Sequence, residues 1–484
     1  MPIAEAIEKF LSTSRQPVLF EPGDDPIAIV RESFQLTTRG SAVTLECWNE
    51  KKNLVRRVRA VALEKRGRLE LEVERFGSKP GRLTLLDLAD PSNHDATRRG
   101  ARLKYREQFR RSLHRHFPTW RIAELSTEPD LQHTLSPSFP RALLRRGPTA
   151  LAAIGAAEDS LAPESSLSFG LIWLDYLRRR EPTLHLEGLA IFVPASAQST
   201  TCHRVRHLNA SAARFLVFVH HDGHEDPVDP ADYTNFATKI DPCRRPAAPS
   251  LESITNLEGV ERRDRPDGSI SLAVRGLEFA RVTPHQLLCG IDQKEPARSL
   301  EEVARLATGL ARLRHPHAAD RLNPLFLRHP ESWLESQIRA NVEKIDADLL
   351  PAPVYGQVPQ FAAGDRAVLD LLAADRAGRL AILEIKAGQD IHLPLQALDY
   401  WMHVNWHLAR GDFAGSGYFP GLALAPRPPR LLLIAPALAW HPSNEIVLRY
   451  FSPAIEAQRI GVGLEWKQEI RVMFRTPVSI WPEQ

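Results

Sequence analysis

Only four of the 484 residues are cysteine, and Cys47, Cys202, Cys243 and Cys289 stand far apart with no CxxC pair among them. That spacing argues against a zinc ribbon and against a disulfide scaffold, and it makes a reducing cytoplasm the expected compartment. Long apolar runs are missing too. The best, LLLIAPALAW at 431–440, falls far short of the roughly 20 residues that span a bilayer. No membrane association is expected. The N-terminal MPIAEAIEKF carries two acids and no apolar core, so it does not read as a signal peptide. No GxxxxGK[ST] occurs, which argues against a P-loop motor. Nor does one sign of charge dominate: 62 Lys and Arg face 59 Asp and Glu, a net +3. Any surface for a polyanion must therefore be local.

What is present is ordinary globular material, 43% hydrophobic and 25% charged. At roughly 100–200 residues per domain, the length suggests several domains. The patterning predicts a mixed α/β chain in four segments. Residues 1–97 read as β-rich. The alternating or β-branched runs Ala42–Trp48, Leu54–Leu63, Arg68–Arg75 and Gly81–Leu88 are separated by turn chemistry. Residues 98–245 read as mixed α/β, with a helix at Ser168–Arg179 and buried strands at Leu186–Val193 and Arg214–Val219. Their size and order suit a degenerate copy of the C-terminal fold, although no acidic pair followed by lysine marks them. Residues 246–320 read as a connector. It holds a hairpin, Ile254–Asp264 with Ser269–Val282 turning at Pro266–Gly268, and an amphipathic helix, Leu300–Arg314. Arg244–Ser250 is the Pro-rich linker before it. Residues 321–484 form the fourth segment.

Two local clusters stand out before that segment. The helix RRGARLKYREQFRRSLHRHF at 98–117 sets eight Arg and Lys against the single acid Glu107. Arg102, Arg106 and Arg110 on it are candidates for contact with nucleic-acid phosphates. The plain alternative is a solvated helix face. His220, His221, Asp222, His224, Glu225 and Asp226 follow a strand. His and carboxylate suit zinc, but the spacing converges on no centre, and a loop at a strand end is the simpler reading.

The chemistry concentrates after Pro330. Trp333, Leu334, Ile338, Asn341, Val342 and Ile345 predict an amphipathic helix that starts at a proline and carries Glu331 and Glu335 one turn apart. Three strands follow, Tyr355–Phe361, Ala367–Ala373 and Arg379–Ala387, then a helix at Pro394–Leu408 and a buried strand at Arg430–Ala435. The turn Asp375–Gly378 lies between the second and third strands, and the midpoint of 370 and 384 falls inside it, at 377. In an antiparallel pair, residues equidistant from the turn lie opposite each other. Asp370 and Glu384 are therefore expected as cross-strand neighbours. Lys386 shares the face of Glu384, while Leu383 and Ile385 point into the core. Two opposed carboxylates in mid-sheet repel. A divalent cation with hard oxygen ligands would offset that, and a lysine two residues on would supply a donor for phosphodiester chemistry. Against this stands an exposed strand pair with no function. The apolar flanks in AILEIKA argue for a central strand instead. Asp365 and Asp375 flank the same strand and would replace Asp370 if the register slipped.

The set Glu335, Asp370 in VLDLL, Glu384 and Lys386 in ILEIKA, and Gln396 with Tyr400 in LQALDYW resembles the PD-(D/E)XK, or restriction-endonuclease-like, superfamily. The Gln-x-x-x-Tyr element is similar to that of its RecB-like branch. Leu369, not proline, precedes Asp370. The resemblance covers 321–484 and implies a mixed central sheet flanked by helices. It implies that Asp370, Glu384 and the carbonyl of Ile385 bind Mg²⁺ or Mn²⁺. Lys386 would act on the attacking water, Glu335 would assist, and Gln396 and Tyr400 would contact substrate. The expectation is a cytoplasmic, Mg²⁺-dependent nuclease acting on DNA, with accessory domains in residues 1–320. The alternative is a catalytically inactive nuclease-fold module that only binds nucleic acid. A homodimer or a protein partner is left open.

Overall fold

The computed structural model describes residues 3–479 apart from 22–26, 30–32, 40–41, 50–51, 76–78, 88, 91–93, 222–223, 233–237, 244–250, 266–267 and 360–367. The described residues form a mixed α/β protein with four sheets. They divide into two compact units, residues 1–196 with 218–226, and residues 197–217 with 227–484. The linker expected at Arg244–Ser250, the turn at Pro266–Asp267, and Asp222 and Asp365 lie outside the described residues.

The first sheet is built from alternation. Helix α1 (Ile3–Thr13) precedes β1 (Pro17–Phe20), β2 (Ile27–Ala28), β3 (Phe34–Arg39), β4 (Ala42–Asn49), β5 (Lys52–Lys65), β6 (Arg68–Arg75) and β7 (Lys79–Asp87). The spatial order is β2-β1-β7-β6-β5-β4-β3. One face buries Leu45, Val58, Leu71 and Leu85 against Ile7 and Phe10 of α1. The β-rich reading of residues 1–97 did not include α1. Its apolar residues recur at helical spacing, Ile3, Ile7, Phe10 and Leu11, and cover the open face of the sheet.

The second sheet follows the basic helix α2 (His94–His116). Its strands are β8 (Arg121–Ser126), β9 (Arg141–Arg146), β10 (Thr149–Gly155), β11 (His185–Pro194), β12 (Arg214–His221) and β13 (His224–Val228). Each strand neighbours the next in sequence. Strands β8, β9 and β10 form an antiparallel meander, and β11 runs parallel to β10 after helix α3 (Ser166–Arg180). Helix α4 (Ala195–Arg206) lies between β11 and β12 in the chain. Phe109 of α2 meets Phe192 edge-on at 5.4 Å between ring centres. Trp173 of α3 donates its indole N–H to the Ala142 carbonyl at 3.0 Å. The two helices cover opposite faces, because Gly155 abuts Tyr105 and Phe109 of α2 while its strand neighbour Ile154 abuts Gly170 of α3.

In the second unit, the expected connector is a five-stranded sheet with its own core. After the single turn α5 (Glu252–Thr255) come β14 (Val260–Asp264), β15 (Ile270–Val274), β16 (Leu277–Val282), β17 (Leu287–Cys289) and β18 (Glu295–Pro296). Helix α6 (Leu300–Leu313) packs Val303, Ala307 and Leu310 onto it. The single strand expected at Ser269–Val282 is two strands. Arg275 and Gly276 both take positive φ, 45° and 81°, and reverse the chain there.

The fourth sheet follows a short turn, α7 (Pro324–Leu327), and the helices α8 (Pro330–Arg339) and α9 (Val342–Ile345). The helix expected to run through Ile345 breaks after Arg339. There Asn341 leaves helical geometry and bonds its side chain back to the Gln337 carbonyl at 2.9 Å. Then come β19 (Tyr355–Pro359), β20 (Val368–Ala374), β21 (Leu380–Ile385), α10 (Leu393–Arg410), α11 (Asp412–Gly415), β22 (Arg430–Pro436), α12 (Pro442–Leu448), β23 (Ala457–Val462) and β24 (Val472–Pro477). Each strand again neighbours the next in sequence. Strands β19, β20 and β21 are antiparallel, β21, β22 and β23 are parallel, and β24 is antiparallel. One face buries Leu371, Leu383, Ile385, Leu432 and Ile434 under Trp333, Leu334 and Ile338 of α8. Helix α10 packs against β21 and β22.

Among the described residues, no helix is long and apolar enough to cross a membrane.

Candidate active site

The β20–β21 hairpin fixes the site. Its turn closes through Asp375, whose Oδ1 accepts the amides of Ala377 and Arg379 at 2.9 and 2.8 Å. Gly378 takes φ +77°, and a Cβ there would lie 2.1 Å from the Ala423 carbonyl oxygen. This geometry holds the pairing at Leu371 with Leu383 and Leu372 with Ile382. One step further, Asp370 stands opposite Glu384, as the symmetry about residue 377 predicts. Asp375 belongs to the turn and not to the acidic pair.

The two carboxylates occupy different surroundings. Asp370 Oδ2 accepts the Ile385 amide across the strands at 2.8 Å. Glu384 is 1% exposed, and its Oε2 has no hydrogen-bond partner. Its Oε1 lies 3.4 Å from the Lys386 ammonium, which also lies 3.9 Å from Asp390. Burial pushes the Asp370 carboxyl up to about 7, and the charge of Glu335 adds to that rise. Burial and the charge of Asp370 push Glu384 well above the ordinary carboxylate range. For Lys386, burial acts to lower the pKa, but Glu384 and Asp370 outweigh it and the ammonium is held charged. One lysine thus faces two acids that cannot both ionise cheaply.

Helix α8 brings Glu335 to the same end of the sheet. It is 4% exposed and, through burial, also held toward its protonated form. Its neighbour is Arg263 of β14, whose Nη1 lies 3.3 Å from both carboxylate oxygens. Gly356 of β19 keeps this corner open. A Cβ there would stand 3.0 Å from Glu335 Oε1 and from Arg339 Nη1. Sequence reading missed Arg263 and Arg339. Arg263 sits 72 residues before Glu335, in a segment read as a connector, and no local periodicity links them. Ser336 also bonds Glu261 from the same strand, which fixes α8 against β14.

On the other face, Gln396 donates to the Tyr400 hydroxyl at 3.1 Å. Tyr400 is almost wholly buried, and burial with the charge of Glu384 raises its phenol pKa. The pair therefore walls the acids from the α10 side.

The remaining candidates lie elsewhere. Arg102, Arg106 and Arg110 are on α2, in the first unit, whereas Asp370, Glu384 and Lys386 are in the second. Glu107 pairs with Arg106 at 3.1 Å and with Arg110 at 2.8 Å. The histidine-acid cluster disperses. His220 Nε2 is 2.8 Å from the Ala156 carbonyl oxygen, and Glu225 accepts from Ser112 and Arg115. Among the described residues, no three His, Cys, Asp or Glu side chains converge as a ready ligand group. What the fourth sheet offers is a pair of acids with one unpartnered oxygen.

No protein-family model and no curated protein matches this chain.

Proposed function

We propose that residues 321–484 form a restriction-endonuclease-like module that hydrolyses phosphodiester bonds of DNA with the help of a divalent cation. One observation carries the reading. Asp370 and Glu384 oppose each other on central strands, both are held toward protonation, and Glu384 Oε2 lacks any partner. A native protein rarely leaves a buried carboxylate oxygen unsatisfied without a reason. A hard cation fits that gap. Asp370, Glu384 and the carbonyl of Ile385 would hold Mg²⁺ or Mn²⁺, which when bound would neutralise phosphate charge and favour ionisation of the attacking water.

The chain's own groups then divide the remaining work. Lys386, held charged, places a donor and a positive charge where negative charge grows on the phosphate. Asp370 is kept in line by the Ile385 amide, so its other oxygen has a fixed direction. Glu335, neutralised in part by Arg263, can orient a second water. Tyr400 and Gln396 exclude bulk water from the α10 side.

The test is cleavage of linear, circular and single-stranded DNA by the whole chain in Mg²⁺, Mn²⁺ or EDTA. Cleavage is expected to require the metal, to vanish in Glu384→Ala and to fall by about 10²–10³-fold in Lys386→Ala. DNA binding without cleavage under every condition would leave a binding module, and activity that survives Glu384→Ala would defeat the assignment.

A further inference from the structure

The second and fourth sheets share one chain path. Each module runs helix, antiparallel three-strand meander, helix, parallel strand, helix and two further strands, with every strand beside its sequence neighbour. The helix before the meander and the helix after it cover opposite faces in both. The backbone registers the two copies residue by residue. The Lys386 amide donates to the Ile434 carbonyl at 2.9 Å just past the end of β21, and the Ala156 amide donates to the Phe192 carbonyl at 2.8 Å just past the end of β10. Ala156 thus stands where Lys386 stands, and Ile154 where Glu384 stands. Ile154 pairs with Arg141 across β9, so Arg141 takes the place of Asp370.

The positions of Asp370, Glu384 and Lys386 have all changed their chemistry. Arg141 is buried, lies 5.5 Å over the Trp173 ring and donates to the Glu128 carbonyl, and its Nε and Nη1 have no partner. Ile154 packs on α3. Helix α8 turns Glu335 toward its sheet, but α2 turns Tyr105 and Phe109 toward its own and leaves Lys104, Arg110 and Arg111 exposed. A guanidinium and an isoleucine hold no cation. Glu107 pairs with Arg110 at 2.8 Å, but the exposed Lys104, Arg110 and Arg111 still outnumber it, and a net positive helix face attracts a polyanion.

We propose that the second sheet with α2 and α3 is a metal-free copy of the C-terminal module, unable to cut, which binds the phosphate backbone of nucleic acid through α2. The inference rests on the reading of Asp370, Glu384 and Lys386 as the cutting site, because only that reading makes Arg141, Ile154 and Ala156 losses. It assigns the chain one catalytic centre and a separate grip on substrate.

The test uses the full chain and a short fluorescein-labelled DNA duplex, with affinity read by anisotropy over a range of salt in EDTA. The variant is Lys104→Gln with Arg110→Gln and Arg111→Gln, all exposed positions, and its unfolding midpoint is checked against wild type. Weaker binding is expected, with the slope of log K against log salt reduced by about 0.9 for each phosphate that is no longer neutralised. A Mn²⁺ titration runs alongside. Binding is expected to be unchanged in the triple variant and abolished in Asp370→Asn with Glu384→Gln. Wild-type affinity and slope in the triple variant would overturn the grip, as would absence of EDTA-resistant binding by wild type. Specific Mn²⁺ binding that persists without Asp370 and Glu384 would overturn the metal-free copy. Failure of wild type to bind Mn²⁺ at all is a different result, and it defeats the nuclease reading itself.

Discussion

The amide of Ile385 donates to Asp370 Oδ2 at 2.8 Å across the β20–β21 pair, so the backbone of the strand bearing Glu384 aims the carboxylate on the opposite strand. Even so, burial and nearby acids leave Asp370 with a pKa of about 7 against an ordinary 3.8. The folded, metal-free chain therefore keeps a proton that the unfolded chain gives up. The favourable contribution is complete below the ordinary value and is lost as pH rises through about 7. Asp370→Asn keeps the acceptor for Ile385 and removes the titration. In EDTA at pH 8 it should be more stable than wild type by on the order of 2 kcal/mol, after discounting for solvent access, and should show no advantage near pH 4. Urea unfolding at both pH values reads this. A less stable Asp370→Asn at pH 8 would contradict it.

Lys386→Ala should lower cleavage by about 10²–10³-fold, the usual cost of one donor to developing charge. DNA affinity measured in EDTA should change only a few-fold. If affinity and rate fall together, Lys386 is an anchor for substrate and not a contributor at the reacting phosphate.

Arg263 and Glu335 are both buried and face each other at 3.3 Å. Arg263→Met removes a cation beside buried Glu335, which must then take up a proton or bear its charge with less support, and should cost about 3 kcal/mol at neutral pH. Arg263→Met with Glu335→Gln should recover much of it. A double-mutant cycle by denaturant melts would give the coupling, and additive losses would mean the pair is incidental.

Gly276 sits at φ +81°, with the Ser332 carbonyl oxygen 2.0 Å from where a Cβ would be. Gly276→Ala should destabilise the second unit by more than about 3 kcal/mol, since neither backbone can yield cheaply. A change in unfolding midpoint of under a few degrees would show that β16 can move off α8.

How much of this was written locally follows from what each feature depends on. The pairing of Asp370 with Glu384 depends on one turn, and a turn is a property of four residues, Asp375 to Gly378. The same is true of the helices with Pro330 and Pro394 in their first turns. Gln396 and Tyr400 meet because they are one turn apart on a helix. Arg263 depends on a fold, and nothing within ten residues of it announces Glu335. The chain reversal hidden in Ser269–Val282 depends on a non-glycine residue, Arg275, accepting positive φ, which composition does not advertise. The likeness between the two modules is carried by the order of strands and the direction of hydrogen bonds. The side chains at the matching positions share no chemistry, so there was no motif to find.

The chain enters the second unit at 197, returns to the first at 218 and leaves again at 227. The excursion is tied down within the second unit: Arg204 forks onto Asp399 at 2.9 and 2.7 Å, and Asn209 donates to the Tyr450 carbonyl. No single cut through the gene can therefore yield two whole halves. A product ending at 196 lacks Glu225, the acceptor for Ser112 and Arg115. A product beginning at 227 leaves Asp399 without its arginine. The two units are therefore encoded as interleaved stretches of one chain, and separating them takes at least three cuts.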